Sequence, residues 1–190
     1  MAQQHDAGAL GQTLPAVILD QQWDDESNGH GPTVRDIIQN GTHEDPEIIE
    51  NTILISSDNL RFQQRVEHGI IDLAPGTVIN RSLTLSNQST WSSYHLGKGG
   101  YLPVQAAANN APYASNSVTQ DPARSDMFIT VGSTSPLGTA SDFSSPLGPT
   151  IYAPSDHNLS VRRAGDTSFG GTSGATPLVS SSLVNLQAML

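Results

Sequence analysis

The chain has 190 residues, a length that fits one domain and can bury an adequate core without disulfides. Its 18 acidic and 8 basic side chains give a formal net charge of -10, which argues against nucleic-acid binding by phosphate neutralisation. Cysteine is absent, so a disulfide framework, a thiolate metal site and a cysteine nucleophile are all excluded.

The start of the chain is polar and lacks the basic and apolar regions of a signal peptide. No apolar run approaches the roughly 18 residues that a transmembrane helix needs. We therefore expect residues 1–14 to be a polar tail and residues 15–190 to form a compact domain, which ends within a helix as a truncated domain would. The sequence as written predicts a cytoplasmic protein unless its ends have been trimmed. It does not indicate the oligomeric state.

The first half of the chain predicts strands that alternate with helices. The short apolar run PAVILD, residues 15–20, predicts a buried strand. Pro32 suits a first helical position, so a helix is expected from there. Residues 41–51 are predicted to be a loop, and TILIS, residues 52–56, is predicted to be a second buried strand. Apolar residues at roughly helical spacing predict a helix over residues 60–73.

The second half predicts further strands and a final helix. Strands are expected at 76–84, 102–110, 127–134 and 149–155, with loops rather than helices in the long connections after residue 84. The segment TPLVSSSLVNLQAML, which runs to the chain end, predicts a helix. Alternating strands and helices favour an α/β fold with a mainly parallel sheet.

Three residues stand where catalysis would use them. Asp20 closes a buried strand, from which a carboxylate can hold an imidazole, and His30 lies between glycines before a helix. Ser173 opens a helix, where unsatisfied N–H groups and the helix dipole favour a developing negative charge. In an α/β-hydrolase the histidine follows the nucleophile, and no histidine follows His157 here, so that fold is not indicated.

Five segments carry a resemblance to one family, the subtilisin-like serine proteases or subtilases. GTSGATP (171–177) is similar to the family's nucleophile motif, and GHGPTV (29–34) is similar to its histidine motif. AVILD (16–20) resembles the strand that ends in the catalytic aspartate. VINRSL (78–83) resembles the strand that lines the substrate cleft, and VQAAANN (104–110) resembles the segment that ends in the oxyanion asparagine.

The resemblance implies a three-layer α/β fold, a mainly parallel central sheet flanked by helices, and peptide-bond hydrolysis without a metal or other cofactor. Ser173 would attack the substrate, His30 would accept its proton, and Asp20 would hold the histidine. The Ser173 backbone N–H and the Asn110 amide would donate to the oxyanion. The partner would be a protein or peptide substrate and no nucleic acid, and residues 15–190 would be a compact subtilisin-like peptidase domain.

The substrate cleft would be lined by small side chains that leave room for an extended peptide. An extended peptide can pair with an exposed strand backbone, which would give low sequence selectivity. The lining residues that the resemblance indicates are Ser82, Leu83, Thr84, Ala107 and Ala108.

Other residues compete for two of these roles. Asp24 and Asp25 are alternatives to Asp20, although they lie in a solvated acidic run, and Asn109 is an alternative to Asn110. The acidic segment 20–26 lacks a patterned calcium loop, so we do not expect a calcium site there. The five other histidines show no metal-ligand spacing, so we expect no metal site at His5, His43, His68, His95 and His157.

The sequence also departs from the family pattern. Asp20 and His30 are only 10 positions apart, Arg35 and Asp36 replace small residues, and Gly174 stands where a bulkier residue is common. The short aspartate–histidine segment favours a catalytically impaired module that binds peptide or a protein partner. The presence of all three catalytic residue types in order favours an active protease. A nucleotide-binding domain is a weaker alternative, since no glycine-rich loop follows the first strand.

Overall fold

The computed structural model describes residues 14–20, 29–43, 45–52, 56–83, 87–109, 126–135, 137–144, 149–155 and 169–189. Within these residues, six strands form a single parallel sheet: β1 (Ala16–Asp20), β2 (Ile48–Thr52), β3 (Val78–Arg81), β4 (Leu102–Ala106), β5 (Ile129–Thr134) and β6 (Ile151–Pro154). The described helices are α1 (His30–Gly41), α2 (Ser56–Glu67), α3 (Asn87–Lys98) and α4 (Gly171–Ala188). The strand order across the sheet is β2-β1-β3-β4-β5-β6.

The core lies in two layers, one on each face of the sheet. Along β1, Ala16 and Ile18 belong to one apolar cluster, and Val17 and Leu19 belong to the other. This alternation follows from the two-residue period of a strand. Side chains of α1 and α4 pack into the first cluster, and side chains of α2 and α3 pack into the second. The predicted three-layer α/β fold with a parallel central sheet is therefore confirmed.

The second strand lies earlier in the chain than the sequence predicts. Residues 41–51 were expected to be a loop, but Ile48–Thr52 forms β2, so that prediction is wrong. The strand predicted at 52–56 is also wrong, because β2 ends at Thr52 and α2 begins at Ser56, with 53–55 outside the described residues. β2 lies at the sheet edge, where its side chains are half-buried or exposed. It therefore lacks the continuous apolar run by which buried strands are predicted.

The helix α3 corrects the expectation of loops after residue 84. Its sequence, NQSTWSSYHLGK, shows little apolar periodicity, because the helix buries serine hydroxyls together with one large apolar side chain. Ser92, Ser93 and Leu96 are all buried against the sheet and α2. Tertiary packing rather than an apolar stripe stabilises this helix, so the sequence pattern does not reveal it.

Two helix boundaries also differ from the sequence prediction. The helix expected over 60–73 is α2, which begins at Ser56 and ends at Glu67. Gly69 follows with φ of +66°, a left-handed conformation that commonly terminates helices. The final helix begins at Gly171 rather than at Thr176. None of the helices in the described ranges is both long and apolar enough to cross a bilayer.

The sheet topology creates one place suited to a binding site. The chain passes from β1 to β2 on one side, and β3 then pairs with β1 on the other side. In open parallel sheets, ligands bind beyond the carboxyl ends of the strands where the strand order reverses in this way. The carboxyl end of β1 is Asp20, and its neighbour β3 leads directly into Ser82.

Candidate active site

Asp20 and His30 form the first part of the site. Asp20 is the last residue of β1 and is fully buried, while His30 begins α1 with 27% of its side chain exposed. The His30 Nδ1 and Asp20 Oδ2 atoms are 2.7 Å apart. Because an ionised carboxylate can only accept, Nδ1 carries the proton in this hydrogen bond. In the neutral imidazole, Nε2 then keeps the lone pair that a general base needs.

An aromatic ring also packs against the histidine. The centroids of the Phe169 and His30 rings are 4.9 Å apart, and the ring planes meet at 66°. Phe169 itself packs on the apolar cluster beneath α1 and α4, so this edge contact ties the imidazole to the core. Phe169 was not predicted as a site residue, because its only signal in the sequence is its position shortly before the serine motif.

Ser173 lies in the first turn of α4 and is half-buried. Its hydroxyl donates to the Ser82 carbonyl oxygen at 2.9 Å, and within the described residues it makes no hydrogen bond with His30. Pro177 lies four positions later inside the helix and has no N–H. The Ser173 carbonyl therefore lacks the usual donor of an α-helix at that position.

The backbone N–H groups of the turn around Ser173 are largely occupied. Three of them donate to fixed acceptors: Gly171 to the Ser155 carbonyl at 2.7 Å, Thr172 to Asn109 Oδ1 at 2.9 Å, and Gly174 to the Gly170 carbonyl at 3.3 Å. The Ser173 N–H has no such acceptor in the described part of the chain. The Ser173 N–H is thus available at the helix N-terminus, where the helix dipole favours an anion.

Asn109 lies against the same turn. Its side-chain oxygen accepts from both the N–H and the hydroxyl of Thr172, each at 2.9 Å. A Cβ at Gly171, which has φ of +70°, would lie 2.9 Å from the Asn109 amide nitrogen. Ala108, the residue before Asn109, has φ of +80°, a left-handed conformation that is rare for alanine. This conformation directs the chain so that Asn109 contacts the turn at Gly171. Asn110 lies outside the described residues.

The segments expected to line the cleft lie side by side. Arg81 on β3 pairs in register with Gln105 on β4, so Ser82 and Leu83 follow one strand while Ala106–Ala108 follow its neighbour. Ser82, Ala107 and Ala108 are buried and Leu83 is half-buried.

The sequence-predicted residues that lie outside the described residues are Thr84, Asp24, Asp25, His5, His157 and positions 21–26 of the acidic segment.

A chain of buried hydrogen bonds supports the Ser82 segment from below. The Ser180 hydroxyl on α4 donates to the Asn80 amide oxygen at 2.9 Å. The Asn80 amide nitrogen in turn donates to the Ser82 hydroxyl at 3.1 Å. All three residues are buried. The carbonyl that accepts from Ser173 is therefore fixed to both β3 and α4.

A buried cation lies on the opposite face of the sheet. Burial lowers the pKa of Arg81 from 12.5 to about 9. Its guanidinium donates to the Ser93 hydroxyl at 2.5 Å, and that hydroxyl donates to Gln105 Oε1 at 3.2 Å. This buried polar group was not predicted from the sequence, because nothing in VINRSL indicates that the arginine points inward.

The comparisons with known proteins identify the family and the fold. A model of the subtilase family matches residues 19–189. No curated protein matches the chain by sequence. Solved structures of similar fold include the self-cleaved protease domain of PatA, with a TM-score of 0.58 and 20% identity over 90% of this chain and 79% of that one.

Two further structures share the fold. The PatG macrocyclase in complex with peptide has a TM-score of 0.58 and 13% identity over 92% of this chain and 76% of that one. Sphericase has a TM-score of 0.53 and 20% identity over 76% of this chain and 55% of that one. The family match covers Asp20 and the whole of the histidine and serine motifs, and it confirms the resemblance drawn from the sequence. The chain belongs to the subtilase family of serine peptidases.

Proposed function

We propose that this protein is a serine endopeptidase that hydrolyses peptide bonds through Asp20, His30 and Ser173. The observation that carries the proposal is the 2.7 Å hydrogen bond between His30 Nδ1 and the buried Asp20 carboxylate, in a subtilase with Ser173 in the first turn of α4. A histidine oriented by a carboxylate is the general base that a serine nucleophile requires.

In the first step the Ser173 hydroxyl exchanges one hydrogen-bond acceptor for another. The proposed mechanism requires the Ser173 hydroxyl to leave the Ser82 carbonyl and to donate to His30 Nε2 instead. Catalytic hydrogen bonds of this kind often form only when substrate is bound. Ser173 Oγ then attacks the scissile carbonyl carbon while its proton passes to Nε2, and the buried Asp20 carboxylate stabilises the resulting imidazolium.

The tetrahedral intermediate then collapses to an acyl-enzyme. His30 gives the proton to the leaving amine, and the C–N bond breaks to leave an ester on Ser173. Water enters, gives a proton to His30 and attacks the ester. A second collapse returns the proton to Ser173 Oγ and releases the carboxylic acid product. No redox step and no cofactor are required by this sequence of transfers.

The oxyanion is proposed to accept from the Ser173 N–H and from one asparagine amide. The sequence motif assigns the amide to Asn110. Among the described residues, the contacts support Asn109 as the alternative, because its oxygen accepts from Thr172 while its amide nitrogen lies beside Gly171. An amide fixed through its oxygen presents its N–H groups in a set direction, which is what stabilisation of a developing charge needs.

The proposed substrate is a protein or peptide bound in an extended form. Ser82 and Leu83, with Thr84 after them, would form one wall of the cleft, and Ala107 and Ala108 would form the other. Since most of the described side chains here are small and buried, recognition would rest mainly on backbone hydrogen bonds. The PatG macrocyclase, which shares the fold, has been solved with a peptide bound.

A non-cleaving peptide-binding module is the second candidate. It is favoured by one contact, the hydrogen bond that directs the Ser173 hydroxyl to Ser82 rather than to His30. Labelling with a fluorophosphonate probe, followed by mass spectrometry of the modified peptide, separates the two. The protease proposal predicts modification at Ser173 only.

The matched control is Ser182→Ala, which removes an exposed hydroxyl from the same helix. This variant should label like the wild type, while Ser173→Ala should not label. Labelling that survives Ser173→Ala would contradict the assignment of the nucleophile. A wild-type protein that does not label would favour the peptide-binding module.

A further inference from the structure

The residue after the nucleophile has no side chain, and another residue occupies the space. A Cβ built at Gly174 would lie 2.2 Å from the Ser155 hydroxyl oxygen, a distance that real Cβ contacts do not show. Its next neighbours would be Ser155 Cβ at 3.4 Å and Phe169 Cδ1 at 3.7 Å, which are ordinary contacts. One atom, the Ser155 oxygen, therefore occupies the space that a Cβ at position 174 would need.

Ser155 is itself fixed between the sheet and the turn of Ser173. It follows β6, its N–H donates to the Thr134 carbonyl on β5 at 3.2 Å, and it is buried. Its carbonyl accepts from the Gly171 N–H at 2.7 Å. Ser155 thus contacts the serine motif at two points. It accepts a hydrogen bond from Gly171, which precedes Ser173, and it packs beside Gly174, which follows Ser173.

We propose that Ser155 is a positioning residue for the nucleophile, and that it forms a complementary pair with Gly174. The Ser155 hydroxyl takes the space that a side chain at position 174 would need, so the absence of that side chain lets the end of β6 and the first turn of α4 pack closely. That close packing fixes the first turn of α4, which carries Ser173, relative to the sheet. The inference rests on the proposed protease function, which it extends to a residue outside the three motifs.

The expected loss of kcat in a variant with a side chain at position 174 follows from the distance between that Cβ and the Ser155 oxygen. Relief of a 2.2 Å contact to an ordinary one of about 3.4 Å requires a movement of about 1 Å, and both partners are buried. In a packed interior we expect this movement to be shared between the Ser155 rotamer and the backbone of the Ser173 turn. A misplacement of about 1 Å at reacting groups costs about 100-fold in rate.

The test is a pair of single variants and their combination. Gly174→Ala should lower kcat for a peptide amide by about 100-fold with little change in KM, because the nucleophile rather than the cleft is displaced. Ser155→Ala removes only the obstructing oxygen and should reduce kcat by no more than a few-fold. The double variant Ser155→Ala/Gly174→Ala should recover most of the activity that Gly174→Ala loses, because the remaining contacts of 3.4 and 3.7 Å are ordinary.

A matched control separates positioning from mere destabilisation. A Cβ at Gly41, the last residue of α1, would lie 2.5 Å from the Ser181 hydroxyl oxygen and 2.8 Å from Ser181 Cβ, a glycine–serine contact that is at least as obstructed. Gly41→Ala should lower the thermal unfolding midpoint, yet kcat per labelled active site should stay at the wild-type value.

Three outcomes would overturn the inference. The first is wild-type kcat in Gly174→Ala, and the second is a double variant no more active than Gly174→Ala. The third is a comparable loss of kcat per labelled site in Gly41→Ala. Failure of the proposed function has a different signature, since the wild-type protein would then show no Ser173-dependent turnover at all, and the inference would be rejected with it.

Discussion

At the scale of single residues, the aspartate assignment is supported by a contact that the sequence could only suggest. Asp20 closes the strand beside His30, and the two side chains share a 2.7 Å hydrogen bond. A fully buried carboxylate is poorly screened by water and holds one tautomer of the imidazole. The competing carboxylates, Asp24 and Asp25, lie outside the described residues.

Asp20→Asn is therefore expected to reduce kcat by about 10⁴-fold, the loss known for the equivalent change in another serine protease. An amide can donate to Nδ1 and so stabilises the wrong tautomer. Asp24→Asn and Asp25→Asn serve as matched controls and should keep near wild-type turnover of a peptide amide. If either control proves the crippling change, the triad uses a loop carboxylate instead.

The oxyanion amide gives a second prediction at this scale. Asn109→Ala should reduce kcat by about 100- to 1,000-fold, the magnitude known for such a donor in subtilisin. It removes both the proposed donor and the acceptor for Thr172. Asn110→Ala is the direct comparison, measured with the same substrate and with circular dichroism to verify folding. The larger loss in Asn110→Ala would restore the assignment made from the sequence motif.

At the scale of elements, the chain divides into a face that carries the site and a face that supports it. α1 and α4 begin with His30 and with the turn of Ser173, and both pack on the same side of the sheet. On the other side, α2 and α3 are joined through buried polar contacts, among them the Ser92 hydroxyl that donates to the Asn59 carbonyl at 2.8 Å.

Ser92→Ala should test that division. Loss of a buried hydrogen bond is expected to lower the free energy of unfolding by about 1–2 kcal/mol. The variant should keep wild-type kcat, since α3 carries none of the proposed catalytic groups. Denaturant unfolding of Ser92→Ala and of the exposed Ser182→Ala provides the measurement. A large loss of kcat in Ser92→Ala with unchanged stability would show that the supporting face takes part in catalysis.

The elements also show which sequence signals are informative. β1 was predicted because both faces of a central parallel strand are buried, which produces a continuous apolar run. The edge strand β2 and the serine-rich helix α3 were missed because neither carries such a run. Their positions depend on neighbours that are distant in sequence, which local periodicity does not encode.

At the scale of the whole molecule, the topology explains why distant motifs meet. The sheet order places β1 beside β3 and β3 beside β4, so the carboxyl ends of these parallel strands, at Asp20, Arg81 and Ala106, share one edge. The motifs predicted the family and the candidate triad from residue types alone. The contacts of Phe169 and Ser155 could not be predicted, since they arise from packing between segments with no motif of their own.

The central claim is that Ser173 and His30 act as one catalytic unit, and a double-mutant comparison tests it most directly. Turnover of a peptide amide is measured for Ser173→Ala, His30→Ala and the combined variant, with circular dichroism to verify that each is folded. When two residues act as one unit, either single substitution already removes the contribution of the pair. The combined variant should therefore be no slower than Ser173→Ala alone. Losses that multiply in the combined variant, or full activity in His30→Ala, would contradict the account.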